Sequence, residues 1–434
     1  MTRDISDRSQ PEAFSGWRNR CSHSNRCVVT VVMFIAAAAA VGAIGWSGEV
    51  LLLPVACAFP ALWAFAPSRL GAGLVSMAYF MAASRGLPVG VSIFYATDMW
   101  LGLVLWVAAS LSFVLVHTML WTSRSGWPKA IRYAVAATLM SVPPFGIVGW
   151  ASPITAAGVL FPGWGWVGLF ATFLCLLALT TLAWPVATMV LTGAGVLSAM
   201  TWSPPGTPEG WIGIDTNFEY TAGELADYDQ HIKTIALVHR AAEAGAARIV
   251  LPESALGVWT PTTERIWIRS LNGLDVTVLG GAIVVGADGY DNVMVSITAQ
   301  GSEIIYRERM PVPISMWRPW TSGGARAELF GKPTGQFAGR SIAPLICYEQ
   351  LIVWPIFQSM LFNPDVIVAP GNGWWTGETN IVAIQNASIA VWARLFEIPL
   401  ASAFNLSNSN VSMDRSVFSR RTVKRSTRRY WQSG

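Results

Sequence analysis

The chain has 434 residues, of which 53% are hydrophobic and 12% charged, with 22 tryptophans and a net charge of +4. A charged share about half the ordinary one excludes a purely soluble domain or a disordered chain and points to a membrane class. The five cysteines, Cys21, Cys27, Cys57, Cys175 and Cys347, show no paired spacing, and with Cys347 alone in the second half neither an intradomain disulfide nor a zinc cluster is expected there; no cofactor is expected.

Charge is unevenly placed. Residues 1–26 form a basic polar tail with Arg3, Arg8, Arg18, Arg20 and Arg26, and residues 133–208 contain no Asp, Glu, Lys or Arg. The apolar run 27–46 is long enough for a bilayer core of ~30 Å. Further spans are predicted at 49–66, 70–84, 99–121, 131–150, 164–182 and 184–202, which makes about seven and a helical membrane domain over 27–202. Short loops rich in Lys and Arg stay on the cytoplasmic side. The arginine-rich start and the loop with Arg124, Lys129 and Arg132 then share that side. With this parity the second half of the chain emerges on the outer face of the bacterial inner membrane, in the periplasm.

After a linker at 203–210 the pattern changes to strands alternating with helices, over a domain read as 211–413. Strands are predicted at 211–218, 248–253, 275–285, 290–299, 302–310, 340–347, 365–370 and 399–406, and helices at 222–244, 263–271, 350–361 and 379–397. That order predicts an α/β domain with a mixed sheet. A Pro- and Gly-rich loop spans 311–339, longer than a compact domain keeps without a functional reason. The end of the chain, 414–434, is a second basic tail that lacks aromatic interleaving, so direct nucleic-acid binding is not expected.

Cys347 closes an apolar run, Ile342 to Ile346. Taken alone it is either a buried structural thiol or a nucleophile delivered to the rim of a sheet. Glu253 ends another strand, and in an open α/β sheet both can reach one edge, where ligand sites collect. A carboxylate beside a thiol can take its proton and return it to a leaving group, which suits acyl transfer through a thioester. Such chemistry also needs a cation or hydrogen-bond donors facing the oxyanion.

The segments PES (252–254), YRERMPVP (306–313), ICYE (346–349), GNGWWTG (371–377) and ARLFEIPL (393–400) together resemble the carbon-nitrogen hydrolase, or nitrilase, superfamily. The resemblance is greater to apolipoprotein N-acyltransferase, a membrane enzyme whose nitrilase domain also follows a multi-span region. RMPVPISMWRPW (309–320), with the size and layout, is similar to a family of conjugal transfer proteins of Ti and rhizobial plasmids. The resemblance implies a multi-span α-helical membrane domain followed by an α/β nitrilase-like domain, an αββα sandwich. It implies Glu253 as general base, Cys347 as nucleophile, Glu349 as a supporting carboxylate, and Asn372, Trp374 and Trp375 near the substrate.

The superfamily's lysine does not carry over, because Glu308 stands in its place. Arg307 and Arg309 flank the gap and are the candidate replacements, provided a bulge turns one inward. Two functions follow from the resemblance. One is a Cys-dependent N-acyltransferase or amidase in a membrane protein of conjugal plasmid transfer, with membrane lipid as the acyl donor. The other is an inactive nitrilase-fold scaffold that engages proteins of the conjugation apparatus.

Overall fold

A computed structural model describes residues 25–218 and 226–407. The tail read at 414–434, residues 1–24 and the start of the helix expected from residue 222 lie outside the described residues. The first half is helical: α1 (Asn25–Gly45), α2 (Phe59–Phe65), α3 (Arg69–Ala83), α4 (Leu87–Tyr95), α5 (Met99–Leu120), α6 (Trp127–Met140), α7 (Ala157–Leu160), α8 (Gly165–Leu179) and α9 (Trp184–Thr201). Three of these, α1, α5 and α9, are long and apolar enough to cross a membrane, and α3 with α4 makes a fourth if the pair, bent by 54°, is one span.

Of the other expected spans, that at 164–182 is an unbroken but short helix, α8, of 15 residues, and two are interrupted. The run at 49–66 begins as a 3-10 helix, Val50–Ala58, with Pro54 inside it, and becomes α-helical only in α2. The run expected at 131–150 starts earlier, with Pro128 in its first turn, and ends at Met140. Pro143 and Pro144 follow, and without N–H groups they cannot continue the ladder.

The second half holds two sheets, as the αββα sandwich implied by the resemblance requires, where strand and helix order alone suggested one mixed sheet. The first has strand order β1 (Trp211–Gly213), β2 (Arg248–Val250), β3 (Thr277–Val285), β4 (Tyr290–Thr298), β5 (Gly301–Arg307). Its β1–β2 and β2–β3 pairs are parallel and the remaining pairs antiparallel. The second has order β6 (Gly335–Phe337), β7 (Arg340–Pro344), β8 (Val366–Asn372), β9 (Leu400–Asn405), antiparallel at β6–β7 and parallel thereafter.

The sheets stack face to face. Leu279 and Met294 of the first and Ile342, Val366 and Val368 of the second share one buried core. Side chains alternate across a strand. Val278 of β3 therefore turns away from Leu279 to pack under α10 (Ala226–Glu243) and α11 (Pro261–Ser270), against Val238 and Trp267. Likewise Ile367 of β8 faces α12 (Val353–Met360) and α13 (Ile381–Phe396). Strands buried on both faces read as unbroken apolar runs such as VIVAP.

The result is a four-layer α-β-β-α domain. Its α12–α13 layer shares a core with the helical half, where Trp63, Tyr79 and Leu160 join Ile356, Ile389 and Trp392. The two halves are thus one packed body.

Candidate active site

Glu253 lies three residues beyond β2, in a turn that crosses over β3. A Cβ on Gly281 would sit 2.6 Å from the Glu253 Cα and 2.7 Å from the Ser254 nitrogen, so the turn can lie this close only on a glycine. Ser254 completes the turn at φ +59°. The Glu253 carboxyl is 4% exposed, and its Oε1 accepts a 2.7 Å hydrogen bond from Asn292 Nδ2 on β4.

Cys347 arrives from the other sheet. The chain leaves β7 at Pro344, and Cys347 opens a 3-10 turn, Cys347–Gln350, at φ +44°, a left-handed conformation uncommon for a side chain with a Cβ. Glu349 braces that turn. Its carboxylate accepts from the backbone N–H of Ile346 at 2.8 Å and of Arg309 at 2.9 Å, and from the Tyr306 hydroxyl at 2.8 Å.

The Cys347 thiol, 4% exposed, meets the Glu253 carboxyl across the junction of the two sheets. It also receives the backbone N–H of Asn372, at the end of β8, and the side-chain amide of Gln385 on α13 at 3.6 Å. Glu253 and Cys347 therefore meet, but at one end of a sandwich and not along one sheet edge as expected.

Glu308 stands beside them. It follows β5 directly, is 2% exposed, and its Oε2 accepts from the same Asn292 Nδ2 at 2.9 Å. One amide nitrogen thus holds two carboxyl groups. Two full charges ~4–5 Å apart would repel by about 3–4 kcal/mol at an effective dielectric of about 20, so the pair keeps a proton.

Burial pushes the Glu253 carboxyl up to about 7, offset in part by its hydrogen bonds with Cys347 and Asn292. Burial, reinforced by the charges of Glu253 and Glu349, pushes Glu308 well above the usual carboxylate range. The thiol of Cys347 is raised well above its ordinary value, first by burial and then by Glu253 and Glu308. The thiol and one of the two acids therefore hold protons at rest, which leaves the other carboxyl to act as base.

The arginines are elsewhere. Arg307, 38% of its side chain exposed, pairs outward with Asp291, which Arg326 also holds through two hydrogen bonds at 2.7 and 2.6 Å. Arg309 is fully buried and its guanidinium is committed to other groups. Nε donates to Tyr306 Oη at 2.9 Å, Nη1 to the Pro355 carbonyl at 2.9 Å and Gln358 Oε1 at 3.0 Å, and Nη2 to Ser359 Oγ at 3.0 Å.

A bulge does exist, but it leaves Ile305 unpaired opposite Met294 and Val295, upstream of the arginines, so it brings neither one inward. The replacement of the lysine by Arg307 or Arg309 is thus corrected. Both arginines that flank Glu308 are bound to groups other than the Cys347 thiol.

On its other side Cys347 opens into an apolar pocket of about 90 Å³ lined by Leu87, Trp150, Val312, Trp375 and Ile384, with Ser84 and Gln385 among its polar groups. Ser84 and Gly86 lie in the break between α3 and α4, so the bent helix pair forms part of the wall. Trp374 and Trp375 both pack on Phe94 of α4, at ring-centroid distances of 6.0 and 6.4 Å. Gly90 makes room for Trp375, whose ring would lie 2.5 Å from a Cβ there. Asn372 turns its own side chain away, accepting from Asn405 Nδ2 at 3.0 Å.

A family model for carbon-nitrogen hydrolases matches residues 268–394, which include Cys347, Glu308 and Asn292. The conjugal transfer protein TraB of Agrobacterium fabrum (strain C58) is 54% identical over 420 residues, covering 93% of this chain and 100% of that one. The chain belongs to the TraB family of conjugal transfer proteins. A probable conjugal transfer protein TraB of Sinorhizobium fredii is 53% identical over 370 residues, 84% of this chain and 95% of that one.

Among solved structures, a mutant of the Nesterenkonia AN1 amidase from the nitrilase superfamily aligns at 14% identity and a TM-score of 0.35, covering 46% of this chain and 78% of that one. A carbon-nitrogen hydrolase from Helicobacter pylori G27 aligns at 14% identity and a TM-score of 0.36, with coverages of 44% and 72%.

Two site residues of this TraB-family chain escaped the sequence reading. Asn292 sits inside an ordinary strand pattern and Gln385 inside an amphipathic helix, and neither carries a local signal. Each is a buried amide in a largely apolar element, and that is the one hint a sequence offers.

Proposed function

We propose that the protein is a membrane protein promoting conjugal plasmid transfer, and that its carbon-nitrogen hydrolase domain moves acyl groups through a thioester on Cys347. The observation that carries this reading is the meeting of the Cys347 thiol and the Glu253 carboxyl, brought from different sheets to one buried point. As the sulfur adds to an ester carbonyl, Glu253 takes the thiol proton and then gives it to the departing alcohol, leaving Cys347 acylated. An incoming amine repeats the sequence in reverse, forms an amide and restores the thiol. Asn372, through its backbone N–H, and Gln385 hold the sulfur in place, and Trp374 and Trp375 shape the approach.

The apolar pocket beside Cys347, walled in part by the α3–α4 break, suits an acyl chain supplied by membrane lipid. Outward-facing apolar residues on α1, α5 and α9, among them Val32, Leu115 and Leu197, support placement in the bacterial inner membrane. The charge asymmetry of the loops favours a periplasmic domain.

A second reading is favoured by Glu308 standing at the lysine position with Arg307 and Arg309 both bound elsewhere: a catalytically inactive scaffold that binds proteins of the conjugation apparatus. Replacing Cys347 by alanine or serine separates the two. The acyl-transfer reading expects loss of plasmid transfer at normal protein abundance, and an acyl mass increment on Cys347 of the unmodified protein. Full transfer by the variant with no such adduct leaves the scaffold.

A further inference from the structure

One buried group is unused by that mechanism. The Glu308 Oε1 is buried without a hydrogen-bond partner, while Asn292 holds its other oxygen and the Oε1 of Glu253. The surroundings of Glu308 offer little to stabilise a second negative charge. The charges of Glu253 and Glu349 act on it, and Cys347 and Tyr290 lie within its own field. Arg309 is engaged with Glu349 and Tyr306, and the charge of Arg318 bears on the Tyr290 hydroxyl.

We propose that Glu308 works as a neutral carboxylic acid whose O–H donates to the oxyanion formed when Cys347 attacks a carbonyl, with Asn292 as the positioning residue for both acids. This deepens the acyl-transfer reading and rests on it. As the S–C bond forms, the carbonyl π pair moves onto oxygen and is met by the Glu308 O–H, while Glu253 holds the thiol proton. On collapse the C=O bond re-forms, the ester C–O bond breaks, and the alcohol leaves with the proton from Glu253. Glu308 keeps its own proton throughout. Two chemically identical side chains thus divide the work, one as base and one as donor, because their surroundings differ. The donor role requires no positive charge, which accounts for a working site without a lysine.

The test uses the full-length protein in detergent micelles, with p-nitrophenyl butyrate as acyl probe and the mass of Cys347 as readout. Iodoacetamide alkylation, which forms no oxyanion, runs in parallel. Glu308→Ala is expected to slow acylation about 100- to 1,000-fold while alkylation stays within about threefold. Glu308→Gln, which keeps an N–H donor, is expected to stay within about tenfold of the parent. Equal acylation by Glu308→Ala and the parent overturns the proposal, as does a parallel fall in alkylation, which would mark a structural role.

The proton itself is read by infrared spectroscopy at about pH 8.5, where Glu253, raised to about 7, is ionised, as a protonated-carboxyl band present in the parent and in Cys347→Ala and lost in Glu308→Gln. If that band is absent, the donor proposal fails even where Cys347 acylates. If the band is present but the parent forms no adduct at Cys347, it is the acyl-transfer reading that fails, and the donor role falls with it.

Discussion

Replacing Arg309 by alanine tests whether this residue is a brace or a reagent. Its guanidinium lies at 0% exposure, 3.5 Å from the Glu349 carboxylate, and fastens Tyr306 to Pro355, Gln358 and Ser359 of α12. Truncation would leave the Glu349 charge buried with neutral donors only, and breaking such a pair costs about 3–5 kcal/mol. At roughly 2–4 °C per kcal/mol for a unit of this size, the melting temperature should fall on the order of 10 °C.

Scanning fluorimetry of the full-length protein in detergent measures the shift. In the double variant Arg309→Leu, Glu349→Leu the orphaned charge is gone, so it should recover part of the loss. Arg309→Lys should also be impaired, because one ammonium cannot replace a planar fork with four partners. A melting temperature for Arg309→Ala within about 2 °C of the parent, or no coupling in the double variant, would refute the reasoning.

Three further expectations concern the same site. Glu253 is raised to about 7, so between its ordinary value near 4.5 and that value the folded chain keeps a proton that the unfolded chain has released. Stability therefore falls as pH rises through this window, by about 3 kcal/mol in all, and Glu253→Gln should flatten the dependence; parallel curves of melting temperature against pH would contradict it. Gly281→Ala puts a methyl group 2.6 Å from the Glu253 Cα and should cost about 1–3 kcal/mol while slowing Cys347 acylation, whereas an unchanged melting temperature would show that the turn yields freely. Gln385→Leu removes the amide that reaches Sγ at 3.6 Å and should slow iodoacetamide alkylation of Cys347 roughly three- to tenfold, so a faster rate would show that the amide shields the thiol.

Local pattern carried much of the architecture. Apolar runs such as VIVAP, bounded by turn residues, announced strands buried on both faces, and α10 and α13 followed from helical spacing. Cys347 at the end of an apolar run and Glu253 after RIVLP were visible for the same reason, because both sit where a strand stops. The helical half was less legible. An apolar stretch is equally apolar whether it continues or breaks, and the bend between α3 and α4 depends on what packs against it, whereas the end of α6 ahead of Pro143 and Pro144 was marked in the sequence.

The amino-acid sequence alone determined which segments are buried, the order of strands and helices in the second half, and the presence of a thiol and a carboxylate at strand ends. These follow from side-chain periodicity, which acts over a few residues. Tertiary structure alone decided that the two belong to different sheets, that Asn292 ties Glu253 to Glu308, and that Arg309 belongs to Glu349 and α12. Those outcomes depend on contacts between residues far apart in the chain, whose strength is set by how completely water is excluded once the layers close.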